Sequence, residues 1–122
     1  MTSAPRRAAE RRGRRAESMA CWLLRAKGYR ILARRVRTSQ GEIDIVARRG
    51  ALVAIVEVKA RPDGSSAAEA ISPRQQARLA RAAQAFLQRH PELAHCGVRF
   101  DAVLVAARSL PRHVADAWST GP

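Results

Sequence analysis

The chain has 122 residues, 47% apolar and 27% charged, enough for one domain whose core needs no disulfide or metal staple. Its 23 Lys and Arg against 10 Asp and Glu leave a net charge of +13, so a polyanion, nucleic acid by default, is the expected partner. No long apolar segment or aromatic-rich amphipathic stretch suits a membrane, and two unpatterned cysteines, Cys21 and Cys96, fit a reduced cytoplasmic protein better than a disulfide scaffold.

Residues 1–6 are expected to be mobile, and they lack the apolar run of a secretory leader. A helix is expected from about Arg7 to Lys27, with Gly28 as its stop. Ala16, Met19, Ala20, Leu23, Leu24 and Lys27 recur at 3,4 spacing and form its core-facing stripe. Glu17 lies at the edge of that stripe, where a carboxylate can point into a site or pair with a neighbouring Arg on the surface. Tyr29 to Thr38 reads as a first strand, wet on one side because of Arg34, Arg35 and Arg37.

Residues 41–49 and 51–60 are rich in Val, Ile, Ala and Leu and read as a hairpin. Gly50 can take a positive φ, so Gly50-Ala51 suits the two-residue loop of a II′ turn. With that loop, residues facing one another across the strands have numbers summing to 101. Asp44 then faces Glu57 and Glu42 faces Lys59, with all four on one face of the hairpin. Ile43, Ile45, Val56 and Val58 take the other face, as core. A slip of one residue would break the constellation.

Facing carboxylates repel, so such a pair needs a shared proton, a basic neighbour or a bound cation. Hard oxygen ligands without clustered His or Cys select Mg²⁺ or Mn²⁺ over zinc. Lys59 would point to the same side as Glu57, where it could orient or deprotonate a water or offset charge on a phosphate. Of the 23 basic residues only Lys27 and Lys59 are lysines. An ammonium can be tuned to lose its proton and a guanidinium effectively cannot, which singles Lys59 out. A plain charge pair between Glu57 and Lys59 at the strand end is the competing explanation.

Pro62 to Ser66 carries turn chemistry and small residues that could let a substrate approach. Ser72-Pro73 supplies the cap and first position of a helix through about Arg89, which His90-Pro91 ends. Its stripe is Leu79, Ala82, Ala83, Phe86 and Leu87, which leaves Arg74, Arg78, Arg81 and Arg89 for solvent or phosphate. Val98 to Ala107 reads as a fourth strand with Phe100, Ala102 and Leu104 on one face, and Asp101 reads as structural, a brace for Arg99 or for a neighbouring strand. His90, His95 and Cys96 have metal-ligand chemistry but no second Cys/His pair, so no zinc site is expected. Residues 111–118 suggest a short strand or helical turn with Trp118 on the core edge, and 119–122 are expected to be mobile.

The order helix, three strands, helix, strand, with Asp44 and Glu57-x-Lys59 on central strands, resembles the PD-(D/E)XK nuclease superfamily. Within it the chain resembles the YraN family of uncharacterised, predicted endonucleases. The matching residues are Gly13, Ala16-Glu17, Gly28-Tyr29-Arg30-Ile31-Leu32, Gly41-Glu42-Ile43-Asp44, Glu57-Val58-Lys59-x-Arg61 and Arg99-Phe100-Asp101, over roughly residues 10–106. The resemblance implies a restriction-endonuclease-like α/β core: a mixed central sheet in α-β-β-β-α-β order flanked by helices, here one domain over 1–122. It implies that Asp44, Glu57 and the Val58 carbonyl hold Mg²⁺ or Mn²⁺, that Lys59 is catalytic, and that Glu17 is an additional helix-borne acid. Archaeal junction resolvases share this core, so branched DNA is among the implied substrates, and junction cleavage would favour a homodimer on symmetry grounds.

The function expected from these residues is metal-dependent hydrolysis of DNA, with Arg61, Arg74 and Arg78 on the backbone. The alternative is a catalytically inactive nucleic-acid-binding module on the same scaffold. One departure favours it: family members often carry a Lys near the start of the second helix, where this chain has Gln75.

Overall fold

The computed structural model describes residues 3–60, 71–106 and 108–118, with side chains from residue 13 onward. Arg61 and the Pro62–Ser66 turn therefore lie outside the described residues, as do residues 1–2 and 119–122. Helix α1 spans Ser3–Ala26, starting earlier than the expected Arg7. It ends in a Schellman motif, in which Tyr29 N–H donates to the Leu24 carbonyl (2.9 Å) and Gly28 N–H to that of Arg25 (3.0 Å). Gly28 sits at φ +92°, where a side chain would be strained.

Five strands follow: β1 (Arg30–Thr38), β2 (Gly41–Arg49), β3 (Leu52–Ala60), β4 (Gly97–Val105) and β5 (Arg112–Val114), in that order across one sheet. The β1–β2, β2–β3 and β4–β5 pairs are antiparallel, whereas β3 and β4 run parallel and need a crossover. Helix α2 (Pro73–Gln88) belongs to that crossover. Ser72 accepts from Gln75 N–H, and the Gln75 side chain returns a bond to Ser72 N–H, which completes a capping box. This is the mixed sheet between helices of a restriction-endonuclease-like core.

Each helix covers one face. Ala16, Ala20, Cys21 and Leu24 of α1 pack with Ile45, Ala47, Ala54, Val56 and Val103. Leu79, Ala82, Ala83 and Phe86 of α2 pack with Val46, Val53, Ile55, Phe100 and Trp118. Coverage on both sides explains why β2 and β3 read as continuous apolar runs. The α1 stripe falls as expected, except that Cys21 is buried and Lys27 is exposed.

Ile43 does not take the face expected for it. Ile43 packs with the α2-side core and not beside Ile45, so the alternation of β2 breaks at Asp44. The cause lies on the neighbouring strand: Arg34↔Ile45 and Val36↔Ile43 are paired, but Arg35 between them sits at φ +51°. A left-handed residue inside a strand locally disrupts its pleat.

Asp101 is fully buried and structural, as expected. It accepts two bonds from Arg99 (2.8 and 2.7 Å), one from His113 Nε2 (2.8 Å) and one from Asp116 N–H (3.0 Å). Burial pushes its carboxyl upward, but the bonds from Arg99, His113 and Asp116 outweigh that and hold it far below the usual carboxylate range. Stability from this group is therefore present above the unfolded carboxylate pKa and is lost as pH falls through the depressed folded value. Arg99→Met should destabilise the fold by about 3 kcal/mol by leaving a buried carboxylate without its main partner. Urea denaturation measures this, and adding Asp101→Asn should recover part of the loss. A change below about 0.5 kcal/mol would remove Asp101 from the framework.

Candidate active site

The β2–β3 ladder runs in the expected register from Arg49↔Leu52 to Ile45↔Val56, every pair summing to 101. Gly50 has φ +62° and Ala51 no positive φ, as a II′ turn requires. The ladder stops one position short of Asp44 and Glu57. There Val58 N–H donates to Asp44 Oδ2 at 2.8 Å, a side chain standing where a backbone partner would be. Beyond it, Gly41–Ile43 pair with β1 while Glu57–Ala60 pair with β4.

The two strands thus part around a cleft of about 430 Å³, lined by Gly41, Glu42, Asp44, Glu57, Lys59, Gln75, Arg78 and Leu79. Gly41 is needed here, because at φ +142° a Cβ would lie 3.0 Å from Cγ of Arg78. Four expected residues, Asp44, Glu57, Lys59 and Arg78, meet in this cleft. The expected Glu42–Lys59 facing is absent because the strands are no longer paired at that level. Glu42 pairs instead with Arg37 (3.5 Å) and Lys59 with Glu57 (3.2 Å). The Glu57 and Lys59 side chains are only 12% and 23% exposed, so this is not a solvated strand-end pair.

Asp44 carries the strain of the site. Burial first, then the negative charge of Glu57, a hydrogen bond shared with Glu57 and the charge of Glu17 push its carboxyl up to about 8, against the lowering effect of Val58 N–H. The shift favours the protonated form of Asp44 near neutral pH, beside Glu57. A hard divalent cation could replace that proton. Among the described residues no three His, Cys, Asp or Glu side chains converge on a metal position. The oxygens that could serve a cation at the gap are instead two carboxylates and a carbonyl. Val58 directs its N–H at Asp44, and since a strand residue's N–H and C=O leave along the same edge, its carbonyl also faces the gap. All-oxygen donors of this kind fit Mg²⁺ or Mn²⁺.

Glu17 is close enough for its charge to reach Asp44 but is not among the residues lining the cleft. Its carboxylate is held by Arg35 Nε at 2.8 Å, with Arg34 at 4.0 Å. Arg35 is the residue that the sequence pattern missed. Its bond to Glu17, and then the charges of Glu17, Glu42 and Asp44, raise its own pKa. The only available signal was the crowding of arginines in β1, and nothing in that pattern announced a positive φ. Arg74 is exposed on α2 outside the cleft, and Arg61 lies outside the described residues. Gln75 lines the cleft, but its amide is engaged in the α2 capping box.

Comparison with known proteins identifies a family. The model of the uncharacterised protein family UPF0102 matches residues 16–105. Similar proteins include a UPF0102 protein of Parvibaculum lavamentivorans, 59% identical over 91% of this chain and 84% of its own length. Another, from Paramagnetospirillum magneticum, is 55% identical over 97% of this chain and 98% of its own. A third, from Bradyrhizobium sp. strain ORS 278, is 57% identical over 99% and 86% respectively.

Because the folded pKa of Asp44 is raised, the folded state keeps a proton that the unfolded chain releases. Without metal, this group therefore lowers stability progressively as pH rises from about 4 to about 8. Asp44→Asn keeps an oxygen for Val58 N–H and removes the titration. In EDTA at pH 9 it should melt above the wild type, by on the order of 2 kcal/mol or several degrees, and the gap should narrow toward pH 5. Thermal melts at the two pH values measure it. An equal or lower melting temperature at pH 9 would contradict the strained pair.

Proposed function

This chain belongs to the uncharacterised family UPF0102, and on that premise we propose that it is a metal-dependent endonuclease hydrolysing phosphodiester bonds in DNA. The observation that carries this reading is the half-buried Asp44–Glu57 pair, with Lys59 held on Glu57, in a cleft that the cationic helix α2 also lines. A fold gains nothing from burying two carboxylates against each other, so their retention points to a ligand of opposite charge.

Asp44, Glu57 and the Val58 carbonyl would hold Mg²⁺ or Mn²⁺. When bound, such an ion polarises the scissile phosphate and lowers the pKa of a coordinated water. Lys59 stands on the same strand edge as Glu57, where its ammonium orients the attacking water or offsets charge building on the phosphate. Arg78, over Gly41, is placed to take a phosphate oxygen at the cleft wall. Arg74 and Arg61 would extend the grip along the backbone. A homodimer would bring two such clefts onto the two strands of a branched substrate.

One observation favours a second reading, a nucleic-acid-binding module without catalysis. Gln75 stands where a further cation would serve the phosphate, and its side chain caps α2 instead. The two readings part on cleavage. With Mn²⁺ or Mg²⁺ and labelled linear, flapped and four-way DNA, the wild type should cut. Lys59→Ala should lose 10²- to 10⁴-fold in rate, on the order of what a positioned acid–base group supplies, while keeping its affinity. Asp44→Asn should not cut at all. Full cleavage by Lys59→Ala would overturn the mechanism. No cutting by the wild type, with tight salt-sensitive binding that both variants keep, would favour the binding module.

A further inference from the structure

The outer face of α1 carries a feature that the cleft does not use. Trp22 is 70% exposed there, and among the described residues no hydrogen bond or ring partner engages its indole. At 3.6 residues per turn, Arg15, Ser18 and Arg25 lie within about 60° of Trp22 around the helix, and all three are exposed. The buried stripe of Ala16, Ala20 and Leu24 occupies the opposite side. Glu17, the acidic residue of segment 13–26, sits about 140° away, turned toward Arg35. An aromatic plane flanked by guanidinium groups and free of carboxylates is the combination that holds a nucleic-acid strand.

This face also joins the candidate active site. One turn from Trp22, the Ser18 hydroxyl accepts from Arg34 Nη2 at 3.4 Å, and that guanidinium lies 4.0 Å from Glu17. Glu17 in turn holds Arg35 beside Asp44. Arg34 and Arg35, both facing Glu17, thus link this helix to β1, which pairs with the strand that carries Asp44.

We propose that this face of α1 holds a single-stranded part of the DNA substrate, with one unpaired base stacked on Trp22 and the flanking phosphates on Arg15, Arg25 and Arg34. The inference rests on the nucleic-acid reading above and narrows it to a substrate class. Bases inside a duplex are stacked on each other and offer no free face to an indole. The preferred substrate is therefore DNA that presents an unpaired base beside the bond to be cut, such as a flap, a fork or an opened junction arm.

Trp22 and Trp118 are the only tryptophans, and Trp118 is buried with its ring centroid 5.7 Å from that of Phe100. Indole fluorescence can therefore be followed while the protein is titrated with oligothymidylate and with blunt duplex in EDTA, where no cleavage occurs. Oligothymidylate should quench the wild type saturably and leave Trp22→Leu unquenched. That variant should bind the single strand roughly 5- to 100-fold more weakly, the value of one stacked base, and blunt duplex as before. Trp22→Phe, which restores an aromatic plane, should recover part of the affinity.

Three results would overturn the proposal. They are undiminished single-strand binding by Trp22→Leu, an equal loss for single strand and duplex, or a concentration-dependent blue shift with dimerisation in protein alone, which would mean that a second copy covers the indole. The readout needs no catalysis, so the two proposals fail separately. Stacking without any metal-dependent cleavage would remove the endonuclease and leave this site standing. Cleavage without stacking would do the reverse.

Discussion

A single hydrogen bond, from Val58 N–H to Asp44 Oδ2, decides where the central hairpin ends as a sheet and begins as a site. Before it, β2 and β3 exchange backbone bonds in strict register. At it, a carboxylate replaces the backbone acceptor, so β2 follows β1 and β3 follows β4, and the strands part. The opening exists because a side chain short enough to reach the neighbouring strand, yet able to accept a bond, stands at position 44. The same bond turns the Val58 carbonyl toward the gap and fixes Asp44 close to Glu57. It only partly offsets what burial and Glu57 do to the Asp44 carboxyl. The protein thus keeps a locally destabilised pair in a sheet that is stabilised by helices on both faces.

The framework that bears this strain is polar as well as apolar. Asp101, fully buried, ties β4 to β5 through His113 and reaches the segment after α1 through Arg99, which also donates to the Tyr29 hydroxyl at 2.6 Å. Lys27 Nζ closes the chain at 2.6 Å from His113 Nδ1. The contrast between its cations is chemical. Arg99 meets Asp101 with a planar fork of two bonds, and arginine suits that task. The two lysines sit where one compact ammonium meets one atom, His113 Nδ1 for Lys27 and Glu57 Oε2 for Lys59.

Much of this arrangement could be read from residues alone, where local rules act without competition. Gly50-Ala51 fixed the turn, the turn fixed the register, and the register placed Asp44 beside Glu57. Ser72-Pro73 set the start of α2 to the residue, and Asp101 was legible as a brace because a carboxylate amid Phe100 and Ala102 needs a partner. What escaped was non-local. Period-2 reasoning carried the pairing through to Glu42 and Lys59, since it cannot know that a side chain will cap the ladder at Asp44. It placed Ile43 on the wrong face because it assumes uniform β geometry, whereas Arg35 adopts a left-handed conformation opposite Asp44. Only the family resemblance marked Gln75 as a departure from Lys, and its part in the capping box depends on how the helix start folds.

The central claim is that Asp44, beside Glu57, carries a proton which a divalent cation replaces, and proton-linked calorimetry tests it most directly. Mn²⁺ is titrated into the protein at pH 7 in buffers of different ionisation enthalpy. The account predicts binding with the release of about one proton per ion, declining above the raised pKa of Asp44 at about 8. Binding without proton release, or no binding at all, would contradict it.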